Sequence, residues 1–344
     1  MKSTSVRLFP NSGLILRLGM AVLSLTAHAQ EAICRTFDPP GSVSTIPMSI
    51  NPAGEITGYY FDSNNNYHGF LRSRDGRFTT FDFPGASDTA AASINPAGDI
   101  TGTYSGGIQG FLRARDGTFT TSNFPGSAET VPASINPGRV ITGYYADISG
   151  LWHGFLRARD GTFVTIDPPG STGALTISTG INPAGWITGD YEDASFSRHG
   201  FLRARDGTFT TFDGPGSQAT IPASINPAGA ITGYYIDANN IPHGFLRLQD
   251  GTFTAFDPLG SVYTFPVSIN PTGMITGFWS ATGHFGVKHG FLRARDGTLV
   301  SFDPPGSIYT FPASINPTGM ITGYYGDANS VTHGFLCSME HNSR

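Results

Sequence analysis

The chain has 344 residues, including 45 glycines and 24 prolines, a composition typical of many tight turns between short strands. No stretch shows a sustained apolar period of 3.6 residues, which argues against amphipathic helices. The formal net charge is −5 and no basic stripe is present, which argues against nucleic acid or an anionic membrane as a partner.

Residues 1–29 predict a secretory signal peptide, with basic residues near its start, an apolar run over 18–26 and a small-residue cleavage site ending at Ala29. The apolar run is too short to cross a bilayer, so we expect no membrane insertion. Loss of Lys2, Arg7 and Arg17 leaves 17 basic against 25 acidic residues, a net charge of −8. We therefore expect a protein that is secreted or periplasmic after cleavage near Ala29.

The rest of the chain consists of seven repeated units. The units are aligned on a tripeptide that reads x-P-G in six of them and P-L-G in the other. Its glycine stands at positions 41, 85, 126, 170, 216, 260 and 306. Each unit contains, with small changes, T-I-P-A-S-I-N, I-T-G-Y-Y, H-G-F-L-R-A and T-F-T-T-F-D, separated by the turn N-P-A-G, a variable loop and the turn R-D-G. These segments predict four short strands, a to d, per unit, which is typical of a β-propeller blade.

We predict an all-β fold, a seven-bladed β-propeller with four short strands per blade that occupies residues 30–344. The seventh unit is split between HGFLC near the end of the chain and CRTFD near its start, so the N-terminal strand is expected to complete the last blade and close the ring. A β-solenoid is the competing fold, but its coils are usually shorter and need no split unit. The predicted repeats cover residues 42–82, 86–123, 127–167, 171–213, 217–257, 261–303 and 307–339 plus 33–38.

The R-D-G turn predicts the register of strands c and d. With Arg203 opposite Phe209, antiparallel partners have a constant index sum, which also places His199 opposite Asp213. The same register predicts the pairs His68 and Asp82, His153 and Asp167, His243 and Asp257, His289 and Asp303, and His333 and Asp38. In the second unit, the histidine and the aspartate are both replaced by amides, Gln109 and Asn123. A joint change at two paired positions is what a direct contact between them predicts.

We interpret the six histidine–aspartate pairs as structural fasteners, because six copies of a catalytic dyad in one chain would be unusual. No catalytic residue is predicted. Histidines on the third strands of different blades are too far apart to share one metal ion, so no metal site is predicted. Five units carry a pair of arginines two positions apart, such as Arg203 and Arg205. We interpret them as a solvated structural ladder, with an anion-binding rim as the alternative.

The register also places Cys34 directly opposite Cys337 in the split unit. Opposed residues of an antiparallel pair bring their Cβ atoms within disulfide distance, and an exported protein favours the oxidised state. A disulfide that locks the ring is therefore expected.

The x-P-G, S-I-N-x-x-G-x-I-T-G-x-Y and H-G-F-L motifs together resemble the probable extracellular repeat family called HAF. The resemblance extends over all seven units; the H-A-F triplet is H-G-F in six of them and Q-G-F in one. It implies a bacterial exported protein of repetitive β-structure. The family has no established activity, so the resemblance implies no site residues.

The loops between strands b and c often begin with an aspartate, such as Asp62 and Asp237, followed by polar residues. Such loops resemble calcium loops but lack the twelfth-position glutamate and the full D-x-D-x-D-G pattern. Asx turns are the favoured interpretation, so no cofactor is expected, with calcium as the alternative.

Strand direction places the b–c and d–a loops on one face, and only these loops vary in sequence. Variable loops on a repeated scaffold favour a binding role, and exposed aromatic rings there could stack on sugars or anchor a protein. The candidate ligand-binding residues are Tyr67, Trp152, Phe196, Tyr263, Trp279 and Tyr309, with Phe285 as a further loop aromatic.

The favoured function is a monomeric, non-enzymatic, exported propeller that binds an extracellular glycan or protein, which the sequence does not identify. One alternative is a polysaccharide hydrolase or lyase that uses the same face; another is a structural envelope or scaffold protein with no small ligand. A carboxylate cluster on that face would favour the enzyme. The candidate carboxylates are Asp88, Glu129, Asp190, Glu192 and Asp193.

Overall fold

A computed structural model describes residues 32–106, 108–283 and 286–339. Within these ranges the regular elements are all β-strands, as the glycine- and proline-rich composition predicts. The described residues contain no helix long and apolar enough to cross a membrane. The predicted signal peptide and Phe285 lie outside the described residues.

Twenty-eight strands in the described ranges form seven four-stranded units, six contiguous and one split. Unit 1 has β2 Ser44–Ile50, β3 Ile56–Phe61, β4 Tyr67–Arg72 and β5 Phe78–Phe81; unit 2 has β6 Thr89–Ile94, β7 Ile100–Tyr104, β8 Gln109–Arg113 and β9 Phe119–Thr121. Unit 3 has β10 Glu129–Ile135, β11 Ile141–Ala146, β12 Trp152–Arg157 and β13 Phe163–Ile166; unit 4 has β14 Thr176–Ile181, β15 Ile187–Glu192, β16 Arg198–Arg203 and β17 Phe209–Phe212. Unit 5 has β18 Ala219–Ile225, β19 Ile231–Ile236, β20 Pro242–Arg247 and β21 Phe253–Phe256; unit 6 has β22 Tyr263–Ile269, β23 Ile275–Ser280, β24 His289–Arg293 and β25 Leu299–Phe302. Unit 7 has β26 Tyr309–Ile315, β27 Ile321–Gly326 and β28 Thr332–Met339, together with β1 Ala32–Phe37.

Each unit is an antiparallel sheet in the order a, b, c, d. Strand a carries a β-bulge next to its proline, as between Pro47 and Ser49 opposite β3. Proline has no N–H to donate, which an edge strand tolerates. Strands c and d have the predicted register, with Arg203 opposite Phe209. Strand a of each unit also packs against strand a of the next, and β26 packs against β2.

The apolar core repeats with the units. The first isoleucine of strand b and the phenylalanine of strand c are fully buried throughout, as Ile56 and Phe70 are in unit 1. We expected the arginines of the R-A-R-D-G segment to be solvated, but the first of them is buried in four units. Arg113, 8% exposed, lies with its guanidinium carbon 4.7 Å from the ring centre of Phe81 in the preceding unit. The arginine therefore acts as a cation–π contact between units.

Strand β1 pairs with β28 with Cys34 opposite Cys337, as predicted. The two cysteines form a disulfide, which confirms that expectation. Cys337 occupies the position that this arginine has in the other six units, and Cys337 is fully buried. The strand from the start of the chain is thus covalently joined to the last unit.

A series of hydrogen bonds connects the N-P turns of successive units. The side-chain Nδ2 of the turn asparagine in one unit donates to the backbone oxygen of the corresponding asparagine in the next. The series runs through Asn51, Asn95, Asn136, Asn182, Asn226, Asn270 and Asn316. Asn316 Nδ2 then donates to the oxygen of Asn51 at 3.5 Å, so the series returns to unit 1. The recurrent asparagine therefore links units as well as starting a turn.

Candidate functional site

The connections between strands lie at two opposite ends of the sheets. The b–c and d–a loops form one end, the variable-loop face, where the backbone N–H of Tyr67 donates to Asp88 Oδ1 at 3.3 Å. The a–b and c–d turns form the other end, the constant-turn face, where the N–H of Arg115 donates to Asp99 Oδ1 at 3.3 Å. This separation follows from the alternating direction of antiparallel strands.

The ends of strands a, b and c nearest the variable-loop face carry a band of aromatic side chains, here called the aromatic belt. All its members are half-buried. They are Tyr59, Phe61, Tyr67, Tyr144, Trp152, Tyr234, Tyr263, Phe265, Phe278, Tyr309, Phe311 and Tyr324.

Ring contacts make the belt continuous across units 5, 6 and 7. Tyr234 lies 4.9 Å from Phe265 in the next unit, and Phe265 lies 5.0 Å from Phe278. Phe278 in turn lies 4.8 Å from Phe311 of unit 7, which lies 5.2 Å from Tyr324. Edge-on and offset contacts of this kind hold the rings in fixed orientations. The belt is therefore a preformed aromatic surface.

Smaller clusters extend the belt in units 1 and 3. Tyr59 and Tyr67 of unit 1 lie 5.9 Å apart, and Tyr144 and Trp152 of unit 3 lie 5.5 Å apart. Burial raises the pKa of the Tyr59 and Tyr144 hydroxyls, so these groups remain protonated donors at neutral pH. Each cluster thus combines apolar ring surface with a hydrogen-bonding group.

Units 2 and 4 interrupt the belt. At the fourth position of strand b, Thr103 stands in unit 2 and Asp190 in unit 4, where the other units have tyrosine or phenylalanine. Asp190 is fully buried, and its Oδ2 accepts two hydrogen bonds from the guanidinium of Arg198. Its Oδ1 has no hydrogen-bond partner among the described residues. Burial raises the pKa of Asp190 to about 6, and the charge of Arg198 opposes that rise.

Four of the six aromatic residues predicted to bind ligand belong to the belt: Tyr67, Trp152, Tyr263 and Tyr309. The other two lie elsewhere. Phe196 is 82% exposed at the tip of its loop, with a φ of 63°. Trp279 packs against His289 at 4.9 Å, and its indole N–H donates to Ser301 Oγ at 2.9 Å.

The belt residues that lie inside strands were not predicted from the sequence, because the repeated I-T-G-Y-Y segment indicates only structure. The one available signal was variation at its fourth position, which reads Tyr, Thr, Tyr, Asp, Tyr, Phe and Tyr through the seven units. A position that changes within a constant segment indicates that the fold does not fix the residue there.

The candidate carboxylates do not form a single cluster. Asp190 is buried against Arg198, Asp193 contacts His199 at 3.2 Å, and Asp88 accepts the Tyr67 N–H at 3.3 Å. Within residues 32–106, 108–283 and 286–339 there is no group of three or more His, Cys, Asp or Glu residues able to hold a metal ion.

The structure brings together each predicted histidine–aspartate pair. The separation between histidine Nδ1 and the aspartate oxygen is 2.6 to 2.9 Å in all six. In unit 2, Asn123 Nδ2 donates to Gln109 Oε1 at 3.4 Å. In five units the histidine Nε2 also lies 3.2 to 3.7 Å from the aspartate that opens the b–c loop. The histidine thus ties two variable loops together.

The loop aspartates make Asx-type turns. Asp62 Oδ1 accepts the backbone N–H groups of Asn64 and Asn66 at 2.8 and 2.9 Å. Asp237 does the same for Asn239 and Ile241. These hydrogen bonds explain the recurrent aspartate as a residue that stabilises the loop backbone.

No protein-family model and no curated protein sequence matches the chain. Among solved structures, a catalytically inactive variant of virginiamycin B lyase from Staphylococcus aureus with quinupristin is similar, with a TM-score of 0.61 at 14% identity over 90% of this chain and 100% of that one. Puromycin hydrolase is similar with a TM-score of 0.61 at 13% identity, over 87% of this chain and 54% of that one. TolB from Acinetobacter baumannii has a TM-score of 0.51 at 12% identity, over 83% of this chain and 64% of that one. At these identities the similarity concerns the fold alone, and the chain has an all-β, β-propeller-like fold.

Proposed function

We propose that the seven units close into a seven-bladed β-propeller in which the N-terminal strand completes the last blade. The pairing of β1 with β28 and the hydrogen bond from Asn316 to Asn51 support closure. A further contact across the same junction is Arg72 of unit 1 over the Phe37 ring of β1, at 4.8 Å. The Cys34–Cys337 disulfide supports export to an oxidising compartment. The repeat motifs support an assignment to the HAF family.

We propose that this propeller is a non-enzymatic module that binds a glycan through its variable-loop face. The aromatic belt carries this proposal. Partly exposed rings that neighbouring rings hold in place lose little side-chain entropy on binding and offer flat apolar surface to the faces of sugar rings. The nearby tyrosine hydroxyls supply hydrogen bonds to sugar hydroxyls.

A polysaccharide lyase or hydrolase is the second candidate, and Asp190 favours it. A buried carboxylate with a raised pKa and an ion-pair partner is a recurrent feature of catalytic sites. The same features also fit a structural ion pair, in which Asp190 and Arg198 replace two aromatic residues of the belt. The other candidate carboxylates do not form a cluster with Asp190. We therefore favour binding over catalysis.

A glycan-array screen of the mature protein tests the proposal, followed by titration calorimetry on each positive glycan. Trp152→Ala and Tyr67→Ala are each expected to lower the affinity by about tenfold, because each removes one stacking surface. Trp186→Ala is the matched control. Trp186 is also half-buried, but it lies on the constant-turn face against Gly229.

If both belt variants bind the glycan as tightly as the native protein, the belt is not the binding site. An array with no positive glycan rejects glycan binding itself. Appearance of unsaturated or newly reducing sugar ends during incubation would favour the enzyme, and loss of that activity in Asp190→Asn would assign it to unit 4.

A further inference from the structure

The two faces of the molecule carry opposite net charges. Residues 32–339 contain 23 carboxylates, of which eight lie at the constant-turn face and fifteen at the variable-loop face or the adjoining strand ends. The same span contains 16 basic residues, of which only Arg198 and Lys288 lie at the variable-loop face. The formal charge is therefore −13 at the variable-loop face and +6 at the constant-turn face.

Both basic groups at the variable-loop face already have partners. Arg198 forms an ion pair with the buried Asp190. Lys288 donates from Nζ to the backbone oxygen of Gly286 at 2.6 Å. Neither residue neutralises the more distant carboxylates. The potential above the aromatic belt is therefore negative, although histidine contacts reduce it in part.

Individual carboxylates lie beside the belt. The charge of Glu129 acts on the hydroxyl of Tyr144, and that of Asp88 acts on the hydroxyl of Tyr67. Glu192 lies opposite Arg198 at the start of β16. Neither Glu129 nor Glu192 makes a side-chain hydrogen bond among the described residues, so both carboxylates are available to a ligand.

A negative potential over fixed aromatic rings selects the charge of a ligand. It repels acidic sugars, leaves neutral sugars to stacking alone and attracts cationic sugars through both the carboxylates and the ring faces. Asp190 adds no net charge at the gap in the belt, because Arg198 neutralises it, so the excess negative charge comes from the other carboxylates of this face. Charge complementarity therefore favours one class of glycan over the others.

We propose that the ligand of the variable-loop face is a glycan whose sugars carry free amino groups, with the rings stacked on the aromatic belt and the ammonium groups facing Glu129, Glu192 and Asp88. This inference rests on the proposed glycan-binding function and names the substrate class. A basic protein is the competing partner with the same charge, but it does not require a band of flat ring surfaces.

The test uses a matched pair of probes: a glucosamine oligosaccharide, which is cationic in mildly acidic buffer, and the N-acetylglucosamine oligosaccharide of the same length, which is neutral. Titration calorimetry is expected to give at least tenfold tighter binding of the amine form. Raising the salt from about 0.05 to about 0.5 M should weaken that binding several-fold, because it screens exposed charges. A lysine oligopeptide of equal charge is the third probe.

The variant Glu129→Gln with Glu192→Gln is expected to reduce amine-form affinity by about tenfold and to leave the affinity for the neutral form unchanged. Asp206→Asn with Asp250→Asn, on the constant-turn face, is the matched control and should change neither. Trp152→Ala should weaken binding of both sugar forms.

Equal, salt-independent binding of the two sugars overturns the charge inference and leaves glycan binding intact. Absence of binding to either sugar, together with no positive glycan on the array, rejects both proposals. The lysine peptide decides between a glycan and a basic protein. If it binds as tightly as the amine sugar, and Trp152→Ala does not weaken its binding, the glycan assignment is overturned in favour of a basic protein.

Discussion

The guanidinium of Arg139 in unit 3 holds the buried carboxylate of Asp99 in unit 2 through two hydrogen bonds, at 2.7 and 2.5 Å. Asp99 is 1% exposed. Arg139 occupies the turn position where six units have glycine, and its φ is 59°. A non-glycine residue in this left-handed region costs about 1 kcal/mol or more. The ion pair between the units offsets that strain.

Replacing Arg139 with glycine should therefore destabilise the protein, although it relieves the backbone. The change leaves Asp99 buried without its cation, which should lower the free energy of unfolding by about 3 kcal/mol. Relief of the backbone strain at position 139 should offset part of this loss. The double variant Arg139→Gly with Asp99→Ala matches the uncharged turns of other units and should recover most of the loss. Urea unfolding of native, single and double variants measures this; equal stability of the single variant and the native protein would contradict it.

The turn asparagine should contribute more stability than its place in a surface turn implies. Asn226 Oδ1 accepts the N–H groups of Ala228 and Ala230, both at 3.0 Å, and Nδ2 donates to Asn270 O at 3.2 Å. Asn226→Ala removes all three bonds in a buried setting, so we expect a loss of about 2–4 kcal/mol. Asn239→Ala, in an exposed loop, is the matched control and should cost less than about 1 kcal/mol. Similar losses for the two variants in thermal unfolding would argue against a role between units.

The disulfide should be a major stabilising element. It links residues 303 positions apart, and the chain-entropy model assigns about 4–6 kcal/mol to such a closure. Cys34→Ala with Cys337→Ala should lower the unfolding midpoint accordingly, and reduction of the native protein should give the same midpoint. Mass spectrometry without reductant checks the bond in the mature protein, where two free thiols would contradict it. A variant as stable as the oxidised native protein would show that the strand pairing alone holds β1.

The contacts of His68 with Asp82 and Asp62 should make stability depend on pH. Burial disfavours the charged form of His68, but the hydrogen bonds and charges of Asp82 and Asp62 outweigh it and raise the pKa of His68. This contribution is fully present below the unfolded pKa of about 6.5 and is lost as the pH rises through the folded pKa.

His68→Gln with Asp82→Asn copies the amide pair of unit 2 and should flatten the decline in unfolding free energy between about pH 6 and pH 8. Urea unfolding across this range, with NMR titration of His68 in the native protein, provides the measurement. Parallel pH profiles for the native protein and the variant would show that the contact contributes nothing.

Much of the architecture could be predicted from the sequence because its determinants are local. The R-D-G turn sets the register of strands c and d, and that register alone placed Cys34 opposite Cys337 and His199 opposite Asp213. The proline of strand a indicated an edge strand, since it cannot donate a hydrogen bond. Repetition supplied the check, because the D-G turn and the spacing between the paired positions recur in all six contiguous units.

The candidate site could be predicted only in part, because it depends on contacts between units. Loop position indicated Tyr67 and Trp152, but it could not distinguish Trp279 from its neighbour Phe278. Trp279 packs on a histidine of its own unit, whereas Phe278 joins the belt. A one-residue step along a strand reverses the face, and only the tertiary structure shows which face meets the next unit. The burial of Asp190 against Arg198, and the opposite charges of the two ends, likewise follow from how the strands are arranged in space. The units, their strands and the pairings within each unit follow from the sequence, because short-range turns and spacing specify them. Which side chains from different units share a surface depends on the folded arrangement, because those contacts join residues far apart in the chain.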